Sequence, residues 1–182
     1  HAKDVLFAYV PGQANGADPP GGNWPMVTQA EGDLLFERGG MSIHQAQGRV
    51  FGVELRAVDA TVRDFAQDNV LEIEGQARGP LADMLRYVNG SPVGDSMGGA
   101  LAQASATGNA DLRLALRLPL AQLEQTSVKG SVQLAGNDVR LRSDAPLFAQ
   151  ARGRVDFTHK GVQVAGAAMR ALGGELAFDG GT

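Results

Sequence analysis

Apolar and polar residues alternate along most of this chain, and one alternating pattern occurs three times. The copies begin at Gly32, Gly130 and Gly153, and each has apolar residues two, four, nine and eleven positions after its glycine. When a copy is folded at its midpoint, these apolar residues stand in directly opposed pairs. Opposed residues of antiparallel strands share one face of a sheet. Each copy is therefore predicted to be a β-hairpin with one apolar face.

The spacing also predicts which residues are opposed and where each hairpin turns. Glycine accepts the positive φ angles of tight turns, and the turns are placed at Gly39-Gly40, at Gly136-Asn137 (a two-residue type II′ turn) and at Gly161. The predicted pairs are Phe36 with Met41, Leu34 with Ile43, Leu134 with Val139, Val132 with Leu141, Phe157 with Val162, and Val155 with Val164.

Further strands are predicted outside the repeated pattern. Residues 5–10, 69–75 and 173–178 have short strand-like runs, and residues 111–118 place four leucines on one face and charged residues on the other. Residues 49–57 alternate as one strand, after which the apolar residues change phase. Such a one-residue slip is what a β-bulge or a new strand produces.

One segment has the periodicity of a helix. Pro80 suits the first helical position, apolar residues follow at 81, 84, 85 and 88, and Asn89-Gly90 ends the pattern. A second short helix is expected around Leu101, so residues 80–106 form a predicted helical insert. Residues 11–23 are rich in proline and glycine and are expected to form a mobile loop.

The third copy of the pattern lies 121 residues after the first, since 153 minus 32 is 121. At the same offset Gly52 and Leu55 match Gly173 and Leu176. The match therefore extends beyond the hairpin. This indicates an internal repeat of a strand meander, with the helix and the leucine strand between its two copies.

Composition excludes several classes of function. The formal net charge is −4, which argues against a nucleic-acid-binding protein, because such proteins carry a basic surplus. Cysteine is absent, so thiol nucleophiles, disulfides and iron–sulfur clusters are excluded. The three histidines are scattered, and His44 and His159 are expected to face solvent. No metal, cofactor or catalytic triad is expected.

Charged residues on the predicted strands have two interpretations each. Glu72 and Glu74 share a strand face and could form an acid–base pair, but their alternation with Leu71 and Ile73 favours a solvent-facing row. Four arginines on the polar phase of adjacent strands favour a solvated outer face that discourages edge pairing, with a patch for anionic headgroups as the functional alternative. They are Arg140, Arg142, Arg152 and Arg154.

The predicted fold is mainly β: an antiparallel hairpin meander curled into an open groove or half-barrel, with one or two short helices over part of its apolar face. A sheet must bury that face against another sheet, helices or a ligand. A closed β-sandwich would make the domain a structural or adhesion module, whereas an open groove would suit acyl chains. A parallel β-helix passenger domain needs a steady coil period, which intervals of 98 and 23 residues do not supply.

Several short motifs resemble one known family. They are Trp24-Pro25, residues 32–36, residues 85–92 with their Tyr-Val-Asn-x-Ser-Pro motif, residues 108–120, and residues 172–174. Together they resemble a central portion of YhdP-type proteins, which belong to the AsmA-like, TamB-related bacterial envelope group. The resemblance implies a long periplasmic β-structure, anchored in the inner membrane by a helix outside this sequence. It also implies a curled apolar groove along which phospholipid passes, and no catalytic residues.

We therefore expect residues 1–182 to be a single β-rich segment of a longer protein that binds or conducts phospholipid without acting as an enzyme. Its expected partners are acyl-chain lipids and flanking segments of the same protein, with membrane contact made outside this segment. The predicted groove lining is the apolar phase of the strands: Leu34, Phe36, Met41, Ile43, Leu112, Leu114, Leu116, Leu118, Val132, Leu134, Val139, Leu141, Val155, Phe157, Val162 and Val164.

Overall fold

A computed structural model of the chain describes residues 2–7, 25–37, 39–91, 94, 99–122 and 125–181. The predicted loop at 11–23 lies outside the described residues. In chain order the elements are β1 (Ala2–Phe7), β2 (Val27–Glu37), β3 (Gly40–Val50), β4 (Val53–Asp64), β5 (Asp68–Pro80), α1 (Leu81–Asn89), β6 (Ser105–Ala106), β7 (Asn109–Pro119), β8 (Ser127–Arg140), β9 (Phe148–Thr158), β10 (Gly161–Ala171) and β11 (Gly174–Gly181).

The described strands form one antiparallel sheet. Its order is β1-β2-β3-β4-β5-β7-β8-β9-β10-β11, and the two-residue strand β6 pairs with β8. Strands that follow one another in sequence are therefore neighbours in space, as a meander requires. The predicted fold class is confirmed: the sheet is open and is not closed into a barrel. The described strands lie in this one sheet, and they do not form the two-sheet sandwich considered as an alternative.

Two of the three predicted hairpins are confirmed in register. Leu34 pairs with Ile43 in the first, and Val155 pairs with Val164 in the third. The second hairpin is wrong, because β8 runs without interruption from Ser127 to Arg140. The two segments that were predicted to pair are consecutive parts of the single strand β8. Leu134 and Val139 therefore lie along one strand and do not face each other.

The residues expected to turn in the second hairpin instead form a β-bulge. Gly136 has a φ of 109°, and the register between β8 and β9 shifts at Asn137. A bulge needs the same positive φ that a type II′ turn needs, so glycine alone does not distinguish them. The buried Asn137 side chain accepts a hydrogen bond from the Ala135 N–H at 2.9 Å and donates to the Thr107 and Asn109 carbonyls at 2.8 and 3.0 Å.

The expected strand over residues 49–57 is also wrong. The chain turns at Phe51 and Gly52, which separate β3 from β4. Phe51 has a φ of 52°, which is uncommon for a residue other than glycine. Because Phe51 and Val53 continue the apolar alternation, the sequence pattern gave no sign of a turn between them. The predicted change of phase in β4 is confirmed, since the register between β4 and β5 shifts between Arg56 and Asp59.

Bulges recur in the sheet, and aspartates hold three of them. In each case a residue with positive φ donates its backbone N–H to an aspartate carboxylate on the neighbouring strand. The pairs are Gln45 with Asp59, Gln150 with Asp138, and Gly166 with Asp179. The carboxylate replaces the ladder hydrogen bond that a bulge removes.

The predicted helix is present as α1. Pro80, with φ −58° and ψ 126°, is its N-cap and not its first helical residue, and Gly90 is its C-cap as expected. The second helix expected around Leu101 does not appear among the described residues of that segment, since 99–103 form turns. Two hydrogen bonds close those turns, from Ala102 N–H to the Gly99 carbonyl and from Ala104 N–H to the Leu101 carbonyl.

Candidate functional site

The candidate site is the apolar face of the sheet. Cross-strand pairing places apolar side chains in rows that run across many strands, because directly opposed residues share a face. One row crosses six strands from β2 to β8, and another crosses six from β4 to β10. The first is Leu34, Ile43, Ala60, Ile73, Leu116 and Val128, and the second is Leu55, Ala77, Leu112, Val132, Val155 and Val164.

The structure brings nearly all of the predicted lining residues onto this face. Leu114 and Phe157 both lie opposite Gly130, and Leu118 lies opposite Leu71. Val139 and Leu134 both pack against the buried cluster that contains Leu81 and Met84, although they are not hairpin partners. Leu141 differs from the others: it lies just beyond the end of β8 and is 45% exposed.

The prediction missed the contribution of β4 and β5 to this face. Val62 is only 2% exposed, and Leu71 and Ile73 pack against a buried cluster with Leu116. The signal was present in the alternation of these two strands. The bulge in β4 obscured it, because the shift of phase hid which positions of β4 continue the row.

Among the sixteen predicted lining residues, the most deeply buried lie on the central strand. Leu116 and Leu118, on the central strand β7, are 6% and 5% exposed. Phe36 on β2 is 66% exposed, and Val162 on β10 is 37% exposed. The apolar face is therefore covered at its centre and open on both flanks.

Helix α1 provides part of the central cover. Its Leu81 and Met84 join a buried cluster with Val53, Ala77 and Ala110. At the other end of the helix, Val88 packs against the cluster that contains Leu116. The apolar stripe of this amphipathic helix thus lies on the apolar face of the sheet.

Polar contacts tie α1 to neighbouring turns. The Asp83 carboxylate accepts a hydrogen bond from the Gly52 N–H at 3.2 Å, and the Arg86 guanidinium lies 4.2 Å from the centre of the Phe51 ring. The Leu81 N–H donates to the Gly108 carbonyl at 2.9 Å, which satisfies one free donor of the helix N-terminus. Sequence periodicity predicted the helix but could not predict these contacts.

The segment after α1 is held to the helix. The Asn89 side chain donates to the Leu101 carbonyl at 2.9 Å, and Ser91, which is buried, donates its hydroxyl to the Val88 carbonyl at 3.2 Å. Ser91 is therefore a turn residue at the helix exit, as expected, and its hydroxyl is used in a structural hydrogen bond.

The opposite face of the sheet carries ion pairs. Glu72 lies 3.2 Å from Arg63 and 3.7 Å from Arg117, so its carboxylate is engaged as part of a solvent-facing row. Arg56 forms a 2.6 Å hydrogen bond to Glu54 and lowers the pKa of that carboxyl. The polar row predicted from alternation is present.

The four outward arginines do not form an unopposed cationic patch. Arg142 lies 2.9 Å from Asp144, and Arg154 lies 2.7 Å from Asp156. Asp144 and Asp156 therefore neutralise two of the four arginines. The arrangement favours the solvated outer face over a headgroup site.

An open depression of about 530 Å³ also lies on the polar face. Cross-strand pairing places the small Ala115 at its floor between Glu74 and Lys129, with Thr158 beyond. Its lining combines charged residues such as Glu74 and Lys129 with Leu116 and Val128, which also belong to the first apolar row. Over the described part of the chain, no group of three or more metal-ligating side chains occurs. None of the described helices is long and apolar enough to cross a membrane.

Comparison with known proteins identifies one relative and one family for this sequence. The sequence is 25% identical over 141 residues to the intermembrane phospholipid transporter YhdP of Escherichia coli (strain K12). That alignment covers 78% of this chain and 11% of the relative, so the chain spans only a small part of the relative's length. No solved structure matches. The family described as YhdP protein matches residues 1–182, and the chain therefore belongs to the YhdP family.

Proposed function

We propose that this chain is a phospholipid-binding segment of an intermembrane transporter, and that acyl chains lie against its apolar face. The observation that carries the proposal is the set of apolar rows, which together cross every strand from β2 to β10 except the short β6. No charged residue stands in the two rows traced above. Exposure of such a face to water is unfavourable, so the face is expected to be covered by other apolar groups.

The dimensions of the face suit a lipid. Eight strands at about 4.8 Å spacing make it about 34 Å wide. The hydrocarbon of one bilayer leaflet is about 15 Å thick, which is half of the ~30 Å core. Each buried methylene contributes about 0.8 kcal/mol, so contact with one acyl chain gives on the order of 10 kcal/mol before ordering costs.

The name of the E. coli relative supports phospholipid as the ligand and transfer between membranes as the process. On this proposal the chain works in the periplasm, and flanking segments of the same long protein supply the membrane anchor and extend the groove. On this proposal, binding and transfer of phospholipid require only non-covalent contacts. The proposed lining is drawn from the sixteen residues predicted from the sequence: Leu116 and Leu118 lie under the central cover, Leu141 is at the periphery, and the others contact the acyl chains.

The test combines native mass spectrometry with photocrosslinking. We expect phospholipid to accompany the purified chain. A photoreactive amino acid at Phe36, on the apolar face, should crosslink to phospholipid in vesicles. The same group at Leu35, the adjacent exposed position whose partner is Ser42, should not. Equal crosslinking at both positions, or none at Phe36, would count against the proposal.

A further inference from the structure

The internal repeat equates two turns that have different surroundings. With an offset of 121 residues, β2 falls on β9 and β3 falls on β10, with every strand boundary coinciding. The turn after each pair begins with the same φ, 52° at both Phe51 and Leu172, and differs at its glycine, because Gly173 has a φ of 85° whereas Gly52 does not have a positive φ. The turn at residues 51–52 and the turn at residues 172–173 are therefore equivalent positions of one repeated unit.

In the first copy, α1 covers the turn. A Cβ atom at Gly52 would lie 2.5 Å from the Asp83 carboxylate and 3.4 Å from the Pro80 ring, so a larger residue there would have to displace the Asp83 side chain. Phe51 is 39% exposed and lies under Arg86. Leu55, two residues into β4, packs against the cluster that contains the helix residues.

In the second copy, the described part of the chain places nothing on the turn. Leu172 is 89% exposed, and Leu176, the counterpart of Leu55, is 47% exposed. A Cβ atom at Gly173 or Gly174 would meet no atom within 4 Å. Part of the exposure of Leu176 comes from its place on β11, which pairs only with β10 among the described strands, whereas Leu55 has β5 beside it. Leu172 lies in the turn itself, so its exposure marks an apolar surface that a helix placed like α1 would cover.

We propose that the turn formed by Leu172 and Gly173, together with Leu176, is a docking site for a second short amphipathic helix built like α1. An acidic side chain in its first turn accepts a hydrogen bond from the Gly173 N–H, as Asp83 does from Gly52. Its apolar stripe covers Leu172 and Leu176. The occupant is a helix of the same polypeptide outside this sequence, since the E. coli relative is about nine times longer than the aligned region.

The peptide is titrated in the absence of lipid, so failure of this proposal and failure of the proposed function are separable. The probe is a helix-stabilised peptide of residues 79–91, titrated into the isotope-labelled chain and followed by amide NMR shifts. Stabilisation is needed because so short a peptide is a marginal helix in water. We expect saturable shifts centred on the amides of Leu172, Gly173 and Leu176.

Substitutions in the chain and in the peptide test the proposed contacts. In the chain, Leu172→Ser should weaken binding about tenfold or more, whereas Leu120→Ser, at another exposed leucine, should leave it unchanged. In the peptide, Asp83→Asn should weaken binding about threefold or more, because the carboxylate is lost.

Three results would overturn the proposal. One is the absence of shifts at Gly173 with about 1 mM peptide. Another is a response confined to Phe51 and Gly52, which would show exchange with α1 instead of a second site. The third is the appearance of the same Gly173 shifts when the chain alone is concentrated and dimerises, since the occupant would then be α1 of a second copy.

Discussion

Leu34 and Leu35 are adjacent leucines of β2 that point to opposite faces of the sheet, and they offer a matched test of the lipid surface. Leu34 lies opposite Ile43 on the apolar face, and Leu35 lies opposite Ser42 on the polar face. Their exposures are 42% and 47%. Leu34→Asp and Leu35→Asp therefore introduce the same charge at similar exposure, one on each face.

The expected effect on lipid binding follows from the exposed part of Leu34. Full burial of a leucine contributes about 1.5–3 kcal/mol, so a ligand covering the exposed 42% gains about 0.6–1.3 kcal/mol. Placing a polar group under an acyl chain costs a further ~1–3 kcal/mol. The sum is about 2–4 kcal/mol, so Leu34→Asp should weaken binding at least about thirty-fold.

The assay is fluorescence anisotropy of a labelled phospholipid with the purified chain, with urea unfolding as a check. Both variants change exposed positions, so the free energy of unfolding should move by no more than about 0.5 kcal/mol. Leu35→Asp should bind lipid like the parent. Equal weakening by the two variants, or unchanged binding by Leu34→Asp, would refute the assignment of the lipid to the apolar face.

Other predictions concern the scaffold. Asn137→Ala removes the partner of two backbone carbonyls and one N–H at the β8 bulge, and it should lower the free energy of unfolding in urea by about 2–4 kcal/mol; a loss below about 0.5 kcal/mol would contradict this account. Gly153→Ala should cost about 1–3 kcal/mol, because φ is 124° and the new Cβ would lie 2.7 Å from backbone atoms, whereas Gly174→Ala, with nothing within 4 Å, should be nearly neutral; similar costs would disprove the steric argument. Asp83→Ala should speed hydrogen exchange in α1 about fivefold through loss of the Gly52 contact, at unchanged global stability, and unchanged exchange would show that the contact does not hold the helix.

The sequence predicted the first and third hairpins because a strand has a side-chain period of two. With that period, the spacing of Leu34, Phe36, Met41 and Ile43 is compatible with only one register. The same reasoning failed at Gly136. Apolar residues spaced symmetrically about a glycine suit a hairpin or a bulged straight strand equally well, and the choice is made by Asn137 bonding to a distant segment.

The candidate site was predictable to a similar extent. Alternation identified most of the apolar face, because face membership is a local property of each strand. The cover on that face was not predictable in detail, since it depends on where α1 docks. Besides its apolar packing, the helix contacts a turn through Asp83 and Arg86, and the alternation around Phe51 had concealed that turn.

The aspartate-held bulges have a consequence for the path of a bound lipid. Neighbouring strands rotate by about 20–25° each, so the seven steps from β2 to β10 accumulate roughly 140–175°, and bulges increase this twist. The outermost open patches, near Phe36 on one side and Val162 on the other, therefore point in widely different directions. If lipid travels between these patches, as we propose, it must rotate as it advances, and the carboxylates of Asp59, Asp138 and Asp179 help to set how far it rotates for each strand it crosses.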